Sequence, residues 1–212
     1  MEYSRLYWFQ CPQTIPFRQI VIFSRPLSEV VSHPVEQPFW YVLRITYQRE
    51  LRVKEQLDKM GIQNFVPTRR VRRRTAQGQF CYVTEAALHN YVFVKTTREV
   101  LRQLKTELIP GLRYVMRDID GRRLLLVVPE EQMQSFIAVA GNTDEHILFL
   151  SVDEIDLKKG EKVRILGGPF AGVVGTFMRI TKKHEKRVVV QIEGLVAVAT
   201  TALPASLVEK IV

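Results

Sequence analysis

The first sustained pattern is the run FWYVLRI, Phe39 to Ile45, which reads as an apolar, aromatic strand. The period then changes. Across Tyr47 to Met60, Val53, Leu57 and Met60 recur at helical spacing, Glu50 with Lys54 and Glu55 with Lys59 form i,i+4 pairs, and Gly61 supplies a stop. Ile62 to Val66 predicts a second strand, Tyr91 to Lys95 a third, Glu99 to Lys105 a short helix, and Arg113 to Arg117 a further strand. Asp120-Gly121 is a hairpin turn before a strand over Leu124 to Val128. Met133, Phe136, Ile137 and Ala140 then follow the i, i+3, i+4, i+7 pattern of a helix, with Pro129 at its first turn and Glu130 and Glu131 at its positive end.

After Gly141 the pattern shortens. Lys162 to Leu166, Val173 to Ile180, Val188 to Glu193, Val196 to Thr200 and Leu207 to Lys210 predict five strands, and a closed barrel would protect their edges. Between the first two lies GGPFAGVVG, Gly167 to Gly175. It lacks the lysine and hydroxyl of a phosphate-binding loop, and the β-branched run that follows does not open a helix. Its glycines read as backbone geometry, with Gly172 and Gly175 supplying a turn and a bend. Pro169 would leave Phe170 near the tip, either exposed as a contact residue or packed in the core.

Residues 1–37 show no sustained period and carry Pro12, Pro16, Pro26 and Pro34; they read as an irregular extension or as sequence upstream of the true start codon. The expected organisation is therefore residues 1–37, a domain at 38–141, an acidic linker at 142–156 and a small domain at 157–212. Charge follows the same divisions, at +8 for 38–141, −5 for 142–156 and +6 for 157–212 within a total of +9. Two basic blocks separated by an acidic segment point to a nucleic acid or a polyanionic assembly as partner.

The densest cationic run is TRRVRRRTAQGQF, with a hairpin tip at Gln77-Gly78. Strand alternation sends Arg70, Arg72 and Arg74 to one face and Arg69, Val71 and Arg73 to the other, so that about three guanidinium groups can follow one phosphate backbone. The competing reading is a solvated arm, or one paired with Asp153, Glu154 and Asp156. Arg49, Arg52, Gln56 and Lys59 form a polar flank of the first helix, read equally as a solvated face or as nucleic-acid contacts. The turn Lys182 to Arg187 (KKHEKR) is basic as well and leaves open an RNA-binding or ribosome-associated protein, against a solvated hairpin tip.

Cys11 and Cys81 stand 70 residues apart with no CxxC pattern, and His33, His89, His146 and His184 are scattered, so neither a disulfide framework nor a zinc site of the usual spacing is expected. No catalytic motif and no cofactor motif is present, no apolar run reaches membrane-span length, and a cytoplasmic, non-enzymatic protein is expected.

In order along the chain, FWYVLR, PTRRV, LHNYVFVK and LLLVVPEEQMQSFI resemble the landmarks of the NusG amino-terminal domain, and LKKGEKVRILGGPFAGVVGTF resembles the KOW motif. The resemblance implies an α+β architecture, an antiparallel sheet flanked by helices followed by a five-stranded SH3-like barrel. It implies a monomeric transcription elongation or antitermination factor that docks on the clamp helices of the large catalytic subunit of RNA polymerase. Its nucleic-acid partner would be non-template DNA or nascent RNA, and its barrel would recruit a ribosomal protein or Rho, with Phe170 at the contact. Carried over by position, Arg44, Leu88, Tyr91 and Phe93 would face the polymerase, and Arg102 and Gln103 the opposite side of the cleft. Leu88-His89-Asn90-Tyr91 stands where NusG usually has Phe-Pro-Gly-Tyr, and RfaH-type paralogues also carry Asn before that Tyr. The chain is therefore most similar to the specialised UpxY antiterminators of capsular polysaccharide operons.

Overall fold

The computed structural model describes residues 36–142, 147–150, 160–180, 186–192 and 195–211. The expectations for residues 1–35, for most of the acidic segment including Asp153, Glu154 and Asp156, and for Lys182 to Glu185 fall outside the described residues. Glu36–Val212 forms one compact unit.

Its first sheet has β1 (Phe39–Arg44) at the centre, paired antiparallel with β5 (Tyr91–Thr96) on one side and with β6 (Arg113–Tyr114) and β9 (Val127–Val128) on the other. The strand β2 (Asn64–Phe65) extends the sheet beyond β5. Alternation along β1 and β5 divides the core in two. Tyr41, Leu43, Val92 and Val94 point to one face, where Val53 and Leu57 of α1 (Glu50–Lys59) and Leu101 of α2 (Arg98–Gln103) cover them. Trp40, Val42 and Phe93 point to the other, under Met133, Phe136 and Val139 of α3 (Glu130–Ala140). α2 continues into a π-helical turn, Leu104–Leu108.

Two hairpins leave this sheet. One is β3 (Thr68–Arg74) with β4 (Phe80–Ala86); the other is β7 (Met116–Ile119) with β8 (Arg122–Leu125), closed by Asp120 and Gly121 at φ 50° and 75°. Positive φ at both central residues is what a two-residue turn of this twist requires. The single strand expected over Arg113 to Arg117 is interrupted because Val115 donates its N–H to Val42 O and accepts from Leu126 N, after which the chain leaves the sheet edge. Met60 departs from its expected place in the buried stripe: it caps α1 and is exposed.

The second sheet runs in the order β10 (Leu148–Leu150), β14 (Val196–Ala199), β13 (Lys186–Ile192), β12 (Val174–Arg179), β11 (Glu161–Ile165), β15 (Val208–Lys210), with every pair antiparallel. Leu148–Leu150 falls in the segment expected as linker and is instead a strand, because its apolar side chains pack with Val189, Ala197 and Ala199. At Gly175 an added Cβ would stand 2.7 Å from both Val188 Cγ1 and Val189 O, and Gly172 sits at φ 84° in the turn before β12. α3 also meets this sheet: Val174 N donates to Ser135 Oγ at 3.3 Å and Gln132 Nε2 to Gln191 O at 2.6 Å. One apolar cluster runs from Trp40 and Phe136 to Val163 and Val190.

Candidate nucleic-acid and polymerase interfaces

The arginine run lies on β3, and its register with β4 decides which cations share a face. Arg70, Arg72 and Arg74 stand opposite Thr84, Tyr82 and Phe80; Arg69, Val71 and Arg73 stand opposite Glu85, Val83 and Cys81. On the first face the Arg72 guanidinium lies 3.8 Å from the Phe80 ring centroid and that of Arg70 lies 5.0 Å from the Tyr82 ring. Both rings face solvent, Phe80 60% and Tyr82 64% exposed. On the second face Arg73 pairs with Glu85. The one carboxylate of the hairpin strands thus lies on the face without rings, where it pairs with Arg73, leaving three guanidinium groups and two rings together on the other. The loop between the strands is set by bonds from Thr75 N to Gln79 O (2.7 Å) and from Gly78 N to Thr75 O (2.9 Å), with Gly78 at φ 82°. Arg74 Nε reaches back to Gly78 O at 3.2 Å. Phe80 and Tyr82 were missed from sequence. The available signal was their alternation in FCYVT, which can be placed opposite the arginines only once the hairpin register is known.

At one end of the first sheet, Arg44 and Tyr91 are cross-strand partners, and Leu88 lies in the loop just before Tyr91. This loop is held from two sides: Ile45 N donates to Asn90 O at 2.8 Å, and Asn90 N donates to Glu50 Oε1 at 2.5 Å. Asn90 takes φ 69°, a conformation that asparagine tolerates better than most residues. Glu50, expected to pair with Lys54, is buried at the first turn of α1, and Lys54 pairs with Asp58 at 2.8 Å instead. That bond, with one from Asn64, holds the Asp58 carboxyl below its ordinary range. The fold brings Arg44, Leu88 and Tyr91 together, with Arg44 exposed and the other two half-buried.

Phe93 does not belong to this surface. It is 0% exposed, its ring 5.2 Å from Phe136 and 6.4 Å from Phe65, because it shares a face of β5 with Tyr91 but lies two residues further into the sheet, under α3. Arg102 and Gln103 are exposed on α2, over the opposite face of the sheet, and Glu99 holds Arg102 through bonds of 2.7 and 2.9 Å that raise its pKa. Arg49 is half-buried and structural in its contacts, donating to Thr46 O at 3.2 Å and Pro110 O at 3.1 Å. Arg52 and Lys59 are exposed on α1.

Phe170 is corrected as well: it is 1% exposed and lies in the apolar cluster with Ile165 and Val173. The turn that carries it folds back, with Gly172 N donating to Ile165 O at 2.8 Å and Val173 N to Phe170 O at 3.1 Å. This directs the ring inward and removes it as an exposed partner contact.

The arrangement is one sheet covered by helices on both faces, with a basic hairpin arm and an exposed arginine beside the half-buried Leu88 and Tyr91. Among the described residues no group of three or more His, Cys, Asp or Glu could hold a metal, and no helix is long and apolar enough to cross a membrane. Residues 38–137 match the family described as NusG, Transcription termination factor nusG. The match spans the first sheet and most of α3, just under half of the chain. No curated protein matches the chain.

Proposed function

We propose that this protein is an operon-specific transcription antitermination factor of the UpxY type, acting in the cytoplasm as a monomer. Its NusG domain docks on the clamp helices of the large catalytic subunit of RNA polymerase through Arg44, Leu88 and Tyr91, with Arg102 and Gln103 facing the opposite side of the cleft. The observation that carries this reading is the loop at Leu88 to Asn90, fixed by Glu50 and Ile45 before any partner arrives. A preset apolar contact beside an exposed cation loses little conformational entropy on binding. Bridging the cleft would disfavour the open, paused polymerase, so that binding free energy shifts a conformational equilibrium. The cations of the arm, Arg70, Arg72 and Arg74, with Arg52 and Lys59 of α1, follow the phosphates of non-template DNA or nascent RNA. Residues 157–212, which supply all of the second sheet but β10, are read as the KOW barrel, which recruits a ribosomal protein or Rho through a surface other than Phe170.

Pull-down of RNA polymerase by Arg44→Glu and Leu88→Glu tests the docking surface. Both variants should lose the polymerase while Arg44→Glu, at an exposed site, keeps the wild-type circular dichroism spectrum and melting temperature. Wild-type recovery of polymerase by both would mean that the surface lies elsewhere. Transcript sequencing with and without the gene should show a polar effect confined to one long operon; an effect across the genome would remove the operon-specific part.

A further inference from the structure

The phosphate contacts proposed for the arm leave its two exposed rings without a role. Phe80 and Tyr82 stand on the same face as Arg70, Arg72 and Arg74, with guanidinium groups 3.8 and 5.0 Å from the ring centroids. A ring exposed to this extent forgoes burial, and a cation placed over it strengthens the face rather than hiding it. We infer that this face of β3 and β4 is a stacking platform for an unpaired DNA strand, whose bases lie on Phe80 and Tyr82 while Arg70, Arg72 and Arg74 take its phosphates. The inference rests on the nucleic-acid reading of the arm and adds to it base stacking, the choice of DNA over RNA and two binding residues.

Three observations select this occupant. Charge comes first: the face carries three cations, and the hairpin's one acid, Glu85, pairs with Arg73 on the other side, so the surface is complementary to a polyanion. Ring geometry comes second. Residues two apart on a strand are about 6.8 Å apart, two stacking steps of about 3.4 Å, so bases can lie on both rings with no demand on sequence. A duplex keeps its base faces buried in its own stack and could use the arginines alone. The hydrogen-bonding inventory comes third: guanidinium groups, the Tyr82 phenol and the Thr84 hydroxyl include no carboxylate or amide aimed at a ribose hydroxyl, so the surface has little with which to demand RNA.

The test is fluorescence anisotropy of the full-length protein with a labelled oligo(dT) of about 20 nucleotides, titrated at several salt concentrations. Phe80→Leu and Tyr82→Leu remove the ring and keep apolar bulk. Each should weaken binding about five-fold or more while leaving the dependence on salt unchanged, and Tyr82→Phe should restore the affinity. Arg70, Arg72 and Arg74 replaced together by Gln should make the slope of log affinity against log salt shallower by about 2, at about 0.7 per phosphate contact. If the leucine variants bind like wild type while the arginine variant loses slope, stacking is overturned and phosphate binding stands. If wild type does not bind, or its slope is indifferent to the three arginines, the nucleic-acid reading beneath it falls too. Equal affinity for a duplex of the same sequence, or RNA bound tenfold more tightly than DNA, would also overturn the assignment.

Discussion

The central sheet and the β3–β4 arm use aromatic rings in opposite ways. In the sheet, Phe65, Phe93 and Phe136 meet ring against ring, with Phe93 and Phe136 fully buried, and their worth is burial and packing. In the arm, Phe80 and Tyr82 meet guanidinium groups and water, and add almost nothing to a core. Residue type does not separate the two sets; the covering layer does. α3 closes over β1 and β5 on one side and α1 and α2 on the other, whereas β3 and β4 pair only with each other. The β7–β8 hairpin sharpens the contrast. It also carries arginines, at 117, 122 and 123, yet Asp118 lies 3.9 Å from Arg123 and no ring shares the hairpin. Cations alone therefore do not distinguish the arm. Cations that share a face with exposed rings and no acid do.

The largest expected effect breaks the comparison at its rings. Phe93→Ala should cost about 3–5 kcal/mol of stability by opening a cavity. Phe80→Ala should stay within about 0.5 kcal/mol, as befits an exposed site. Urea denaturation of both variants measures this, and equal costs would mean that the arm has a covering partner in the folded chain. Next, Glu50→Ala removes the acceptor for the Asn90 amide and should cost about 1–3 kcal/mol, with the Leu88 loop loosened in hydrogen exchange. Stability unchanged by this substitution would show that the loop is held by the Ile45 bond and packing alone.

Smaller still in free energy is the charge comparison. Converting Arg117, Arg122 and Arg123 to Gln should leave the salt slope for oligo(dT) within about 0.7 of wild type, against about 2 for the arm triplet. Similar losses from both hairpins would reduce the arm to one part of a diffuse basic surface. The least effect belongs to Glu130, which joins α3 to Lys95 of β5 at 3.0 Å. A bond from Gln134, then Lys95, hold its carboxyl below the ordinary value of 4.5. A depressed carboxyl stabilises above its unfolded value and loses that contribution as pH falls through its folded one. Glu130→Gln should thus lower the stability slightly at pH 7, by no more than about 1 kcal/mol for so exposed a pair, and the gap in melting temperature should close below pH 4.5. A gap that persists at pH 3 would assign the effect to packing rather than charge.

Local order was largely legible. The apolar run of β1, the helical spacing of α1 and α3, the Asp120-Gly121 turn and the strands β11 to β15 all follow from period and turn chemistry, which act over a few residues. The alternation of Arg70, Arg72 and Arg74 was legible for the same reason. What pairs with what across the chain was not. Leu148–Leu150 became a strand because β14, some 50 residues on, offers it an edge. Phe93 and Phe170 were placed on surfaces by position, yet each is buried, because inward or outward is decided by which layer covers the strand or turn. Glu50 reads as a helix-surface charge until the 88–90 loop folds over it. The arm shows the division most directly: its cations are a property of the sequence, and their sharing a face with Phe80 and Tyr82 is a property of the register. Side-chain alternation is set along one strand, while facing partners are set by where the hairpin turns.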